Sequence, residues 1–196
     1  MCACFLSFTQ DDRPGLLEII RAAYTPETIP IARAEGDVRP TNKVPILLPD
    51  AGGLRAEIME WGFPGYPDKN KPESKPRPLI NTKAETASIL RTWAKPLREG
   101  RCVVPTNGFY EWQHGEGKRK QRYLFRLPGE RALFLAGIHN GSGCFSILTA
   151  AANESMIPIH NRMPVILRRG ELSAWTGEDY LTICDRTPPD LERLPA

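Results

Sequence analysis

Between residues 101 and 152 the chain contains "RCVVPTNGFYEW", "RYLFRL", "ALFLAGI" and "CFSILTAAA", runs rich in β-branched and aromatic residues with Gly or Pro between them. Such runs at short intervals predict strands that pair antiparallel. "VPILLP" and "AEIMEWGF" add strands before this block, the opening "CFLSF" is strand-like, and "MPVIL" adds a short strand after it. The 19 prolines call for many turns and loops and exclude a bundle of long helices. Three helical stretches are expected. "RPGLLEIIRAAY" has Pro14 in a first turn and Leu16, Ile20, Ala23 and Tyr24 at helical spacing. Thr82 and Glu85 form a T-x-x-E capping box, predicting a helix from about Lys83 towards Trp93, with Asn81 just outside its first turn. "RGELSAWTGEDY" predicts a helical turn that buries Leu172 and Trp175. Strands do not alternate with helices and no glycine-rich phosphate loop occurs, so the expected fold is β-rich α+β, one domain over 1–196.

A chain of 196 residues can bury a good core without disulfides. Cys2, Cys4, Cys102, Cys144 and Cys184 are odd in number and form no C-x-x-C pair, which argues against a disulfide framework or a zinc knuckle. No metal or other cofactor is expected, and a reducing cytoplasm suits the thiols. No apolar run reaches the roughly 18 to 20 residues that span a bilayer, and the N-terminus lacks the layout of a secretory signal. The expectation is a soluble cytoplasmic monomer with no membrane partner, associated with the nucleoid if the source is prokaryotic. A net charge of +3 neither demands nor excludes a nucleic acid. Local clusters say more: Lys69, Lys71, Lys75 and Arg77 lie among prolines, and Lys118, Arg119, Lys120 and Arg122 follow a Gly-Glu-Gly turn. Each cluster is either a solvated loop or a contact for a polyanion.

The second residue is a cysteine. If Met1 is removed, Cys2 carries an α-amine and a thiol on one residue, a 1,2-aminothiol that condenses with an aldehyde and closes to a thiazolidine. Otherwise Cys2 is an ordinary residue at a terminus. Glu111, in "GFYEW", lies by alternation on the face of Phe109, opposite Tyr110 and Trp112. It either exchanges protons from an apolar setting or reaches solvent at a sheet edge. His160 and Arg162 share a side if "IHNRMP" is extended, and imidazole beside guanidinium suits an anionic ligand whose reaction needs a proton shuttle. His114 and His139 sit in turn-like contexts and read as structural. Asn81 either orients a polar group or serves turn geometry. Trp61 and Trp112 are candidate stacking platforms for bases. Together these groups fit an aldehyde borne by a polyanion.

The Cys at position two, "EWGF", "LINTKAET", "RCVVPTNGFYEW", "FSILTAAAN" and "IHNRMPVIL" resemble, in order and over most of the chain, the motifs of the SRAP family of abasic-site processing proteins. The resemblance implies a curved, partly barrel-like, mainly antiparallel sheet flanked by short helices. It also implies binding of single-stranded DNA containing abasic sites and a covalent thiazolidine crosslink from Cys2 to the ring-opened sugar after Met1 is removed. On that reading Asn81 positions Cys2 and the sugar, Glu111 exchanges protons with the amine, and His160 assists opening of the sugar ring. Lys83, Arg162 and Arg77 would contact DNA phosphates, and Trp61 and Trp112 would pack near the flanking bases. The sequence departs from the family where Ala3 and Cys4 replace Gly-Arg and Lys83 replaces an arginine. Two other functions fit the same residues: a thiol hydrolase with Cys2 as nucleophile, acting on other substrates or only in release of Met1, or a non-covalent single-strand binding module.

Overall fold

The computed structural model describes residues 2–7, 36–51, 53–71, 73–113, 120–130 and 132–196. The helix expected around Pro14–Tyr24, His114, and Lys118 and Arg119 of the second basic cluster lie outside the described residues.

Two sheets carry the fold. The first has the order β13-β8-β7-β1-β2, built from β1 (Phe5–Leu6), β2 (Asp37–Val38), β7 (Gly108–Gln113), β8 (Gln121–Arg126) and β13 (Glu192–Pro195). All of its pairings are antiparallel. The second is an eight-stranded sheet. It comprises β3 (Lys43–Asp50), β4 (Gly53–Trp61), β5 (Asn81–Lys83), β6 (Arg101–Thr106), β9 (Leu133–His139), β10 (Cys144–Ala151), β11 (Arg162–Pro164) and β12 (Ile166–Leu167). Its path runs β11-β10-β4-β3-β6-β9-β12, and an additional β9–β10 pairing bends it into a partial ring. Every run read as a strand among the described residues is one, although "MPVIL" is divided between β11 and β12. The two parallel pairings, β10 with β4 and β10 with β5, are the exception to an otherwise antiparallel pattern.

One core cluster fills the space between the sheets: Phe5, Trp61, Phe109, Phe125, Phe145 and Met156 are buried there with Cys2. The second lies on the other side of the ring sheet, where the helices Arg91–Glu99 and Leu172–Thr176 pack Trp93, Leu97, Leu172 and Trp175 against Val103, Phe134 and Ile138. Leu172 and Trp175 are therefore buried as their helical spacing predicts.

The capping-box expectation fails. Residues 81–83 form a strand because β10 offers them a partner, with Ile147 opposite Asn81 and Thr149 opposite Lys83. The Thr82 hydroxyl is committed to Ser146 Oγ at 3.0 Å, so it cannot cap, and the N-cap position falls to Lys83. The helix that follows spans only Ala84–Ala87, and a second starts after Leu90.

No helix among the described residues is long and apolar enough to cross a membrane.

Candidate active site at the N-terminus

β1 runs antiparallel to β7, with Phe5 opposite Phe109 and Leu6 opposite Gly108, and Tyr110 N–H donates to Cys4 O at 2.9 Å. That register carries the first residues of the chain alongside Glu111. The β6–β7 corner fixes it: Asn107 N–H donates to Leu6 O at 3.0 Å, and the Thr106 hydroxyl lies 2.6 Å from the same oxygen. Gly108 occupies this corner with φ +152, where an added Cβ would stand 2.8 Å from Phe125 O, so no other residue fits without displacing β8.

Cys2 is 0% exposed and Glu111 is 4% exposed. Glu111 faces the core side of β7 with Phe109, while Tyr110 belongs to the small cluster on the opposite face against which Trp112 packs, as alternation requires. The sheet-edge reading of Glu111 is excluded by this burial. Burial raises the Cys2 thiol well above its ordinary range, and the neighbouring Glu111 charge raises it further. Cys2 therefore rests as a thiol, with the carboxylate close enough to be felt.

Asn81 reaches the same point from the other sheet: its Nδ2 donates to Cys2 O at 2.8 Å. β5 holds Asn81 there through its pairing with β10, and Trp61 Nε1 donates to the adjacent Ile80 O at 2.9 Å. Asn81 Oδ1 is buried and has no hydrogen-bond partner among the described residues, an acceptor left over at the site.

His160 is half-buried at the end of a tight turn in which its N–H bonds Met156 O at 3.0 Å. Met156 and Ile159 sit in the cluster that contains Cys2. His160 Nδ1 accepts the backbone N–H of Arg162 at 2.9 Å. Arg162, on β11, extends its guanidinium to Glu85 in a two-pronged ion pair of 2.6 and 2.9 Å, which holds the Glu85 carboxyl below its usual range.

Several expected DNA contacts are repositioned. Trp61 is 0% exposed, with Phe5 at 5.0 Å and Phe145 at 6.4 Å between ring centroids, and it presents no face to a base. Trp112 lies on the sheet face opposite Glu111, with the Arg122 guanidinium 5.7 Å from its ring and 3.5 Å from that of Tyr110. Arg162 has its charge already met by Glu85. Lys83 and Arg77 are exposed and pair with no carboxylate among the described residues. Arg77 stands in the Pro-rich basic loop, whose two ends are joined by the Phe63–Leu79 bridge. Gly65 lets that loop fold onto itself, since an added Cβ would lie 1.9 Å from Arg77 O. The exposed aromatic of this region is Tyr66, 68% exposed with its hydroxyl 2.8 Å from Thr92 Oγ1. Sequence reading missed it, although its place beside the basic loop was a usable signal. Glu85 pairs with Arg162 instead of capping a helix.

A cavity of about 730 Å³ opens elsewhere, among Leu127, Phe134, Leu167, Arg168 and Asp190, and none of Cys2, Asn81, Glu111 or His160 lines it.

The family model for SOS response associated peptidase (SRAP) matches residues 1–186. The chain belongs to the SRAP family. Its similarity to SRAP relatives extends across most of both chains. Abasic site processing protein YedK of Escherichia coli is 31% identical, over 91% of this chain and 81% of that protein. Abasic site processing protein YoqW of Bacillus subtilis is 30% identical, over 92% and 84%. Among solved structures, a protein from Bacteroides thetaiotaomicron superposes with a TM-score of 0.76 at 20% identity, covering 99% of this chain and 91% of that one. One from Bordetella bronchiseptica gives 0.75 at 22%, covering 100% and 99%. The SRAP fold is thus an α+β one dominated by the partial ring of β10, β4, β3, β6 and β9.

Proposed function

We propose that this SRAP protein processes abasic sites in single-stranded DNA by forming a covalent crosslink through Cys2. The observation that carries the reading is the meeting of Asn81, from one sheet, and Glu111, from the other, at a buried Cys2. The names of the relatives YedK and YoqW supply the substrate class.

Removal of Met1 frees the Cys2 α-amine. The amine attacks the C1′ aldehyde of the ring-opened sugar and water leaves, giving an imine. The thiol sulfur then bonds to the imine carbon while its proton passes to nitrogen, closing the thiazolidine. Glu111 accepts the ammonium proton that blocks the first attack and returns a proton to the departing hydroxyl. An α-amine of ordinary pKa, about 8, is already partly neutral at pH 7, so this help need only be modest. Asn81 holds the Cys2 carbonyl through Nδ2 and offers Oδ1 as an acceptor for a sugar hydroxyl. His160 serves the opening of the sugar ring. Lys83, Arg77 and the basic loop attract the backbone, and exposed Tyr66 provides an aromatic face that the buried Trp61 does not. A thiol held protonated by burial is poorly suited to the alternative of a hydrolytic thiolate nucleophile.

Purified protein lacking Met1, mixed with a single-stranded oligonucleotide carrying one abasic site, should gain the mass of the oligonucleotide less one water. Cys2→Ala should gain nothing. An undiminished adduct in Cys2→Ala, or none in the wild type, overturns the reading.

A further inference from the structure

Glu85 has no part in the chemistry above, yet it makes the most exacting side-chain contact near the site. Arg162 Nη1 meets Glu85 Oε1 at 2.6 Å and Nη2 meets Oε2 at 2.9 Å. The same Nη2 donates to Thr149 O at 2.6 Å and lies 3.2 Å from Thr149 Oγ1. Thr149 Oγ1 in turn donates to Thr82 O at 3.3 Å, the residue after Asn81. One guanidinium therefore joins β11, β10 and the short helix that follows β5. The Arg162 side chain is only 16% exposed, so its planar fork is held rigidly and is largely withdrawn from water.

The backbone of Arg162 is what orients His160. Its N–H points at Nδ1 at 2.9 Å. A ring nitrogen that accepts an N–H carries no proton, so neutral His160 has its hydrogen on Nε2. Nδ1 is also 3.2 Å from Arg162 O, leaving a competing arrangement in which a protonated Nδ1 donates to that carbonyl. Which arrangement forms depends on how the 160–162 backbone is held: by the pairing of Arg162 with Ala151, by the Ala152 N–H donating to Asn161 O at 3.1 Å, and by the Arg162 side chain, the one tie that ends on an ionisable partner. Without Glu85, the guanidinium would keep Thr149 alone and turn towards water or a phosphate, and the side-chain tie on the 160–162 backbone would loosen while the β10 pairing stayed.

We propose that Glu85, acting through Arg162, is a positioning residue that fixes His160 as the Nε2–H tautomer, so that a donor rather than a lone pair is presented to the substrate sugar. The consequence for crosslinking rests on the reading of Cys2 as an aldehyde trap; the tautomer itself does not.

The test combines imidazole ¹⁵N–¹H correlation spectra with single-turnover crosslinking and with affinity for an undamaged single-stranded oligonucleotide. The wild type should show Nε2–H at His160, assigned by comparison with His160→Asn. Glu85→Gln should lose that uniform tautomer and crosslink at least about tenfold more slowly, as expected for a misplaced reacting group. Its affinity for the undamaged strand should not fall, since losing a carboxylate and releasing a guanidinium both favour phosphate. Glu85→Asp, which keeps the charge, should recover most of both signals. An Nδ1–H tautomer in the wild type overturns the proposal even if no variant folds. So does a Glu85→Gln protein with wild-type tautomer and rate, or one whose slower rate is wholly a change in DNA affinity. If the tautomer responds to Glu85 while wild-type protein forms no adduct, the positioning role stands and the aldehyde-trap reading falls.

Discussion

Glu111 and Cys2 exert opposite demands on each other. The carboxylate raises the thiol, second only to burial, while the proposed chemistry needs the carboxylate to move protons at the amine. Glu111→Gln should therefore shift two rates in opposite directions. With the negative charge gone, the thiol falls towards its ordinary value, the thiolate fraction rises, and alkylation of Cys2 by iodoacetamide at pH 8 should quicken by a factor of about two to ten. Crosslinking should slow by on the order of 10²-fold, the lower end of what a general acid–base group contributes. Intact-mass kinetics with each reagent measure the pair, and parallel changes would contradict it. The chemistry of Cys2, Glu111, Asn81 and His160 was legible in residue types, because an aminothiol, a carboxylate in an apolar strand and a histidine before a strand are unusual wherever they occur. Trp61 was not. A tryptophan at a strand end reads alike whether it faces solvent or the core, and only the arrival of Phe5 and Phe145 from distant segments decides it.

At the level of elements, strands are legible because their alternation is local, whereas residues 81–90 are not, because the partner of residues 81–83 lies far off in sequence. Thr82 and Glu85 satisfy the pattern of a cap, yet β10 and β11 offer each a stronger contact in Ser146 and Arg162. Arg101 shows the converse, a tertiary tie that no local pattern signals. Its guanidinium donates to Leu97 O at 2.7 Å, Trp175 O at 3.0 Å and Gly177 O at 2.9 Å, and lies 4.1 Å from the Tyr180 ring. It thus satisfies the C-terminal carbonyls of two helices at once. Arg101→Ala should lower the unfolding free energy by about 2–3 kcal/mol, given that charged hydrogen bonds contribute roughly 1.5–3 each and are not additive. For a chain of this size that is a fall in Tm of roughly 4–12 °C, measured by calorimetry or circular dichroism. Crosslinking at low temperature should be unaffected, since Arg101 lies in the second core cluster's layer, away from Cys2.

Over the whole molecule, acid should destabilise the fold in two stages. Burial lowers the His139 imidazole below its ordinary 6.5, and its Nδ1 accepts the Gly141 N–H at 3.2 Å. The unfolded chain therefore takes up a proton near pH 6.5 that the folded chain resists, so stability is full above that value and declines below it. Glu85, lowered from 4.5 by Arg162, adds a second decline, because the unfolded carboxyl protonates before the folded one. Urea midpoints between pH 8 and 3 should trace both steps, and His139→Gln should remove the upper one while leaving the lower. A midpoint flat from pH 8 to 5 in the wild type would refute the first stage. The architecture follows from the sequence because antiparallel runs dominate it; the closure of the ring through β9 and β10 does not, since closure depends on which edges meet.

The bond from Asn81 to the Cys2 carbonyl, inside a core that leaves Cys2 with no exposed surface, has a practical corollary for handling the protein. Under the proposed chemistry the first residue is the reagent, so a purification tag or other leader ahead of Cys2 would both mask the amine and have to thread out of the interior. Fusion partners belong at the opposite terminus. There Ala196 is exposed beyond β13 on the edge of the five-stranded sheet, and added residues leave the reagent untouched.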